Sequence, residues 1–177
     1  MPVQAERHRP FAVAADETHV YWIEFTGHGN EPNRVLRAPR TGGATELLYA
    51  ATRGLHDLDV DDDGVYLLHG AGLEQIPKAG GAPTLLHDQG GGDHLVLHRN
   101  RLFFAVNDAD QGLFSVLTDG TDSQRHSDIR PLHRFAVTDT HLYFAAEGGD
   151  IYAQQYNMAN PPTLVGQDPC PTDVALG

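Results

Sequence analysis

Cysteine is nearly missing from this 177-residue chain, since Cys170 stands alone; no intrachain disulfide can staple the fold, and the redox compartment is left unmarked. Basic residues are scarce as well. Twelve Lys and Arg face 24 Asp and Glu, a formal net charge of -12 that repels a phosphate backbone or an anionic membrane, so nucleic acid is not an expected partner. No window is long and apolar enough for a membrane-spanning helix, so no span is expected. The stretch 1–13 lacks a charged region followed by an apolar one, so no export signal is legible. The corresponding expectation is a soluble, cytoplasmic chain, or an extracytoplasmic one if these residues belong to a longer exported protein. A helical period is also missing, which excludes helical solenoids, while 40% apolar content is enough to bury a core.

What the chain does have is self-similarity. A short alternating run, a polar turn and then a β-branched or leucine residue followed by an aromatic recur four times. Phe11-Ala12-Val13 leads to Val20-Tyr21-Trp22, and Leu58-Asp59-Val60 to Val65-Tyr66. Leu95-Val96-Leu97 leads to Leu102-Phe103-Phe104, and Phe135-Ala136-Val137 to Leu142-Tyr143-Phe144. A third strand follows in each copy, then a tight turn such as Gly42-Gly43, Gly80-Gly81 or Asp119-Gly120, and a fourth strand. Four strands per unit of about 40 residues predict an all-β fold, a β-propeller built from four-stranded antiparallel blades. The expected blades are 11–50, 58–88, 95–127 and 135–166, after an N-terminal extension at 1–10. Val13, Val60, Leu97 and Val137 are expected in the core, as are Tyr21, Tyr66, Phe103 and Tyr143. Gly43 and Gly81 are expected at positive φ.

Val20-Tyr21-Trp22-Ile23-Glu24, Arg34-Val35-Leu36-Arg37-Ala38 and the Gly42-Gly43 turn before Leu47-Leu48 resemble a YWTD-type blade. The second copy, ending Ile76-Pro77-Lys78-Ala79-Gly80-Gly81-Ala82-Pro83-Thr84-Leu85-Leu86, is similar to the repeats of uncharacterised bacterial propeller proteins. Ile23 and Glu24 depart from the name motif, and copies three and four lose the Gly-Gly turn. The resemblance implies rings of about six blades that serve in binding, and it assigns no catalytic residue.

After the fourth copy, residues 172–177 read as the first strand of a fifth blade, with Val174 in the place of an inner strand. An open inner strand seeks a partner. A piece of a longer propeller, a homodimer joined through this C-terminal strand and a small ring closed by one chain are the three expectations it raises.

Candidate chemistry gathers just ahead of the inner strands. His56 and Asp57 precede Leu58, Asp93 and His94 precede Leu95, and His133 precedes Phe135, which places all five around one channel mouth. Imidazoles and carboxylates there can hold a divalent transition metal, or an anion once protonated; hydrogen-bonded loop residues would carry the same pattern. Asp59, Asp61 and Asp63 run into Gly64 with the alternating spacing of a calcium loop, but no downstream glutamate completes it, and Asp62-Asp63-Gly64 also suits an ordinary hairpin. Ser115, Ser123 and Ser127 lack a nucleophile elbow, and Cys170 lacks an activating base. The leading expectation is a non-enzymatic binding or scaffold module meeting a protein or small-molecule ligand at the mouth and loops. A metal-dependent propeller hydrolase or lyase, with His56 and His133 as ligands or acid/base groups, is the alternative.

Overall fold

The computed structural model of the chain describes residues 9–25, 33–107, 111–129, 131–156, 158 and 160–168, with the backbone alone at 131–133. Every regular element among them is a strand. Blade 1 holds β1 (Arg9–Ala15), β2 (His19–Phe25), β3 (Asn33–Pro39) and β4 (Glu46–Ala51); blade 2 holds β5 (Leu55–Val60), β6 (Val65–His69), β7 (Gly72–Ile76) and β8 (Thr84–His87). Blade 3 comprises β9 (Gly91–His98), β10 (Arg101–Val106), β11 (Gly112–Leu117) and β12 (Gln124–Ser127). Blade 4 comprises β13 (Pro131–Val137), β14 (His141–Ala146), β15 (Asp150–Gln155) and β16 (Thr163–Gln167). Each blade is an antiparallel sheet with its strands in sequence order. The first strand begins at Arg9, inside the expected extension.

Side chains alternate between the two faces of a strand, and in a blade each face meets a different neighbour. Tyr21, Ile23, Val35 and Leu48 of blade 1 cluster with Leu58, Val60, Val65 and Leu67 of blade 2. Tyr66, Leu68, Leu73 and Leu86 then point the other way, onto Leu95, Leu102, Phe104 and Val116 of blade 3. Phe103 and Leu113 repeat the step onto Phe135, Leu142 and Phe144 of blade 4. The core is therefore three joints, each made by the forward face of one blade and the backward face of the next. This is why β6 and β10 are buried at every position whereas β2 alternates.

Register corrects the sequence reading in blade 1. Val13 pairs with Trp22 as Leu58 pairs with Leu67, so Val13 and not Phe11 is the counterpart of Leu58, Leu95 and Phe135. Val13 lies on the backward face of the first blade and is exposed, contrary to expectation. Leu97 and Tyr143 are only half-buried, while Val60, Val137, Tyr21, Tyr66 and Phe103 are buried as expected. Gly43 and Gly81 have φ of 148° and 137°, as their hairpins require. The strand expected around Val174 lies outside the described residues.

Candidate functional site

The blade end at which strand 4 crosses to the next strand 1 carries the histidines and acids expected at the channel mouth. A bulge between Leu55 and Asp57 lets β5 leave its sheet just before Leu58. His56 then reaches blade 3, where its Nδ1 lies 2.9 Å from the Gly92 carbonyl. Asp57 accepts the Leu58 N–H through Oδ1 at 2.9 Å and the Leu95 N–H through Oδ2 at 2.9 Å, and Oδ2 also lies 3.1 Å from His94 Nδ1. The His94 ring stands edge-on to Phe135 of blade 4 at 5.0 Å between centroids. An oxygen acceptor at Nδ1 calls for an N–H there on both imidazoles, which makes Nε2 the pole directed away from these contacts. Asp93 is exposed on β9 beside this group. Position 133 sits at the same place on β13; its side chain is outside the described atoms.

Sequence reasoning missed the groups next to this end. His69 is fully buried, and its Nε2 lies 3.6 Å from Glu74 Oε1, which is in turn 3.7 Å from an Arg53 guanidinium nitrogen. Burial lowers the His69 pKa, and the carboxylate of Glu74 only partly opposes this. One signal was legible. Glu74 pairs with Leu67 at the place held by Leu36, Phe114 and Tyr152 in the other copies, so a carboxylate stands where the repeat is apolar.

Two of the three aspartates suggested for calcium have other partners, and the third, Asp63, is exposed in the turn. Asp59 accepts N–H groups from Val60 at 2.8 Å and from Leu97 of blade 3 at 2.8 Å. Its pKa is raised, chiefly by burial. Asp61 sits at the opposite blade end, where Oδ1 takes the Asp63 and Gly64 N–H groups and Oδ2 takes the Tyr66 hydroxyl at 2.8 Å. Asp16 does the same in blade 1, accepting from Thr18, His19 and Tyr21 and pairing with Lys78 of blade 2 at 2.7 Å. Among the described residues, no three His, Cys, Asp or Glu are placed to share a metal ion.

A third polar group lies inside the joint of blades 3 and 4. Ser115 Oγ is 2.7 Å from His126 Nε2 and accepts from Arg101 at 2.9 Å, and Arg101 also pairs with Asp122. Phe103 and Tyr156 flank the imidazole, and all three polar side chains are buried. The pair has the atoms of a nucleophile and base and is buried between the blades, with His126 Nδ1 left without a hydrogen-bond partner.

Four consecutive four-stranded blades packed face to face define a β-propeller fold. Comparison with solved structures agrees. The chain is similar to a protein of the nidogen/laminin complex, at 13% identity over 85% of this chain and 77% of that one, with a TM-score of 0.55. It is similar to an oligogalacturonate lyase in complex with manganese at 14% identity, covering 93% of this chain and 55% of that one, with a TM-score of 0.70. A puromycin hydrolase matches at 13% identity over 92% of this chain and 29% of that one, with a TM-score of 0.64. No family model and no curated protein sequence matches. Such identities carry the fold alone, and propellers of both binding and catalytic kinds are among the neighbours. No helix among the described residues is long and apolar enough to cross a membrane.

Proposed function

We propose that this chain is a YWTD-like, non-enzymatic propeller module that binds a protein or small-molecule partner at the blade end carrying His56, Asp57, Asp93 and His94. The observation behind this reading is how the carboxylates are used. Asp57 and Asp59 accept backbone N–H groups across the joint of blades 2 and 3, so they hold the mouth in shape, and the imidazole Nε2 atoms are left to meet a ligand. An imidazole Nε2 can accept a hydrogen bond, so the surface suits hydroxyl or amide groups. The lower-ranked reading, a metal-dependent hydrolase or lyase, draws on the same free Nε2 atoms with His133 as a further ligand.

Imidazole nitrogen NMR separates the two. Manganese and zinc are titrated first, then a peptide and oligosaccharide library. The binding module is expected to show ligand shifts confined to the His56 and His94 resonances, without turnover. A stoichiometric metal ion that is lost in both His56→Ala and His133→Ala overturns it in favour of the enzyme.

A further inference from the structure

We propose that a second copy of this chain docks on the two open faces of the four-blade arc, blade 1 of each copy against blade 4 of the other, so that two arcs complete one ring. The proposal does not depend on what binds at the mouth. It rests on a position-by-position comparison of the repeats. On the backward face, Leu58, Leu95 and Phe135 are 3%, 3% and 2% exposed, whereas their counterpart Val13 is 70% exposed. On the forward face the extra residue of the strand-4 bulge is Leu48, Leu86, His126 and Val165 in turn. The first three are 9%, 8% and 5% exposed, and Val165 is 56% exposed. Among the described residues β13 packs on β9 and makes no comparable packing with β1, so the described blades form an open arc.

The chain itself shows what fits such faces. Three times over, a backward face is covered by a forward face, and among the described residues one of each is left uncovered. A second copy brings both halves of the missing joint at once, so a twofold axis through the channel makes two equal joints and leaves no face open. The surfaces have the right chemistry for it. Val13, Trp22, Leu36 and Leu47 form an apolar row in direct register across all four strands of blade 1. Opposite, blade 4 offers a recess of about 330 Å³ in which Ala153, Pro161 and Val165 are ringed by the polar His141, Gln155, Asn160 and Thr163. An adjoining recess of about 350 Å³ contains Asp139 and Tyr156. Where Lys78 of blade 2 meets Asp16 of blade 1, the same corner of the new joint would bring Arg40, which follows Pro39 as Lys78 follows Pro77, to Thr138, whose Oγ1 caps the turn in blade 4 as Asp16 does in blade 1.

Light scattering coupled to size exclusion tests this on the full chain. Wild-type protein is expected at twice the chain mass, and Val13→Arg and Val165→Glu each at the mass of one chain. Both positions are exposed in the single arc, so circular dichroism and melting should show the fold retained. Mixing the two variants is the decisive arm: the mixed pair keeps one wholly unaltered joint, so a two-chain species should reappear that neither variant forms alone. A wild-type monomer overturns the proposal. So does a dimer that survives both substitutions, or a mixture that stays monomeric.

Discussion

Tyr21 and Tyr66 make the same hydrogen bond in successive blades, each hydroxyl donating at 2.8 Å to an aspartate that already caps the preceding turn. Burial, reinforced by the Asp16 carboxylate, pushes the Tyr21 hydroxyl up to about 12, so it stays protonated and donating. Burial opposes ionisation of Asp16, yet Lys78 and the turn N–H groups hold its pKa well below the usual carboxylate range. A carboxylate with a depressed folded pKa contributes stability above its unfolded pKa and loses it as pH falls toward the folded one. Asp16→Asn is therefore expected to destabilise at neutral pH and to flatten the acid limb of a urea-midpoint profile below about pH 4. His126 works in a higher window. Its burial, with Arg101 nearby, lowers it from 6.5 to about 4, so the unfolded chain takes up a proton that the folded one refuses. Stability should fall by roughly 3 kcal/mol as pH drops from 6.5 toward 4, and His126→Leu should remove most of that slope in chemical denaturation.

At the scale of strands, close backbone approach decides which positions tolerate a side chain. Gly72 and Gly112 open the third strands of blades 2 and 3 with φ of 152° and 153°, and a Cβ there would stand 2.3 Å and 2.2 Å from the carbonyl oxygens of His87 and Ser127. Gly72→Ala should push β8 off β7 and cost about 2 kcal/mol or more in denaturant unfolding. Gly54→Ala, with nothing within 4 Å and no positive φ, should be close to neutral. Asp59 tests the link between inner strands. Asp59→Ala leaves the Leu97 N–H without its acceptor and should cost about 1–3 kcal/mol, together with faster exchange of the Leu97 amide.

For the whole molecule, stability follows coverage. Among the described residues blades 2 and 3 are covered on both faces and blades 1 and 4 on one, so a nearest-neighbour stack opens from its ends. In the Val13→Arg chain, amides of β6 and β10 are expected to exchange slowest and those of β1 and β16 fastest. Uniform protection across the blades would contradict a fold built from independent joints. In the proposed two-chain ring the end blades should gain protection.

Strand content, the four-fold repeat and the Gly-Gly turns are legible in the sequence because they are local. Alternation, a positive-φ turn and an aromatic at a fixed place are each written within a few residues, and every blade is needed in the same form. The gathering of His56, Asp57 and His94 at one end was legible too, since equivalent places in a repeat fall at equivalent places in space. Register in blade 1 was not, because Phe11-Ala12-Val13-Ala14 alternates equally well in two frames and pairing with β2 decides between them. Nor was the work of Asp57 and Asp59 legible, since their acceptor oxygens meet N–H groups of Leu95 and Leu97 only when blade 3 is set against blade 2. Exposure was decided in the same way. Val13 and Leu58 are alike in sequence and differ only in whether another blade's forward face lies against them, and that is settled by tertiary packing.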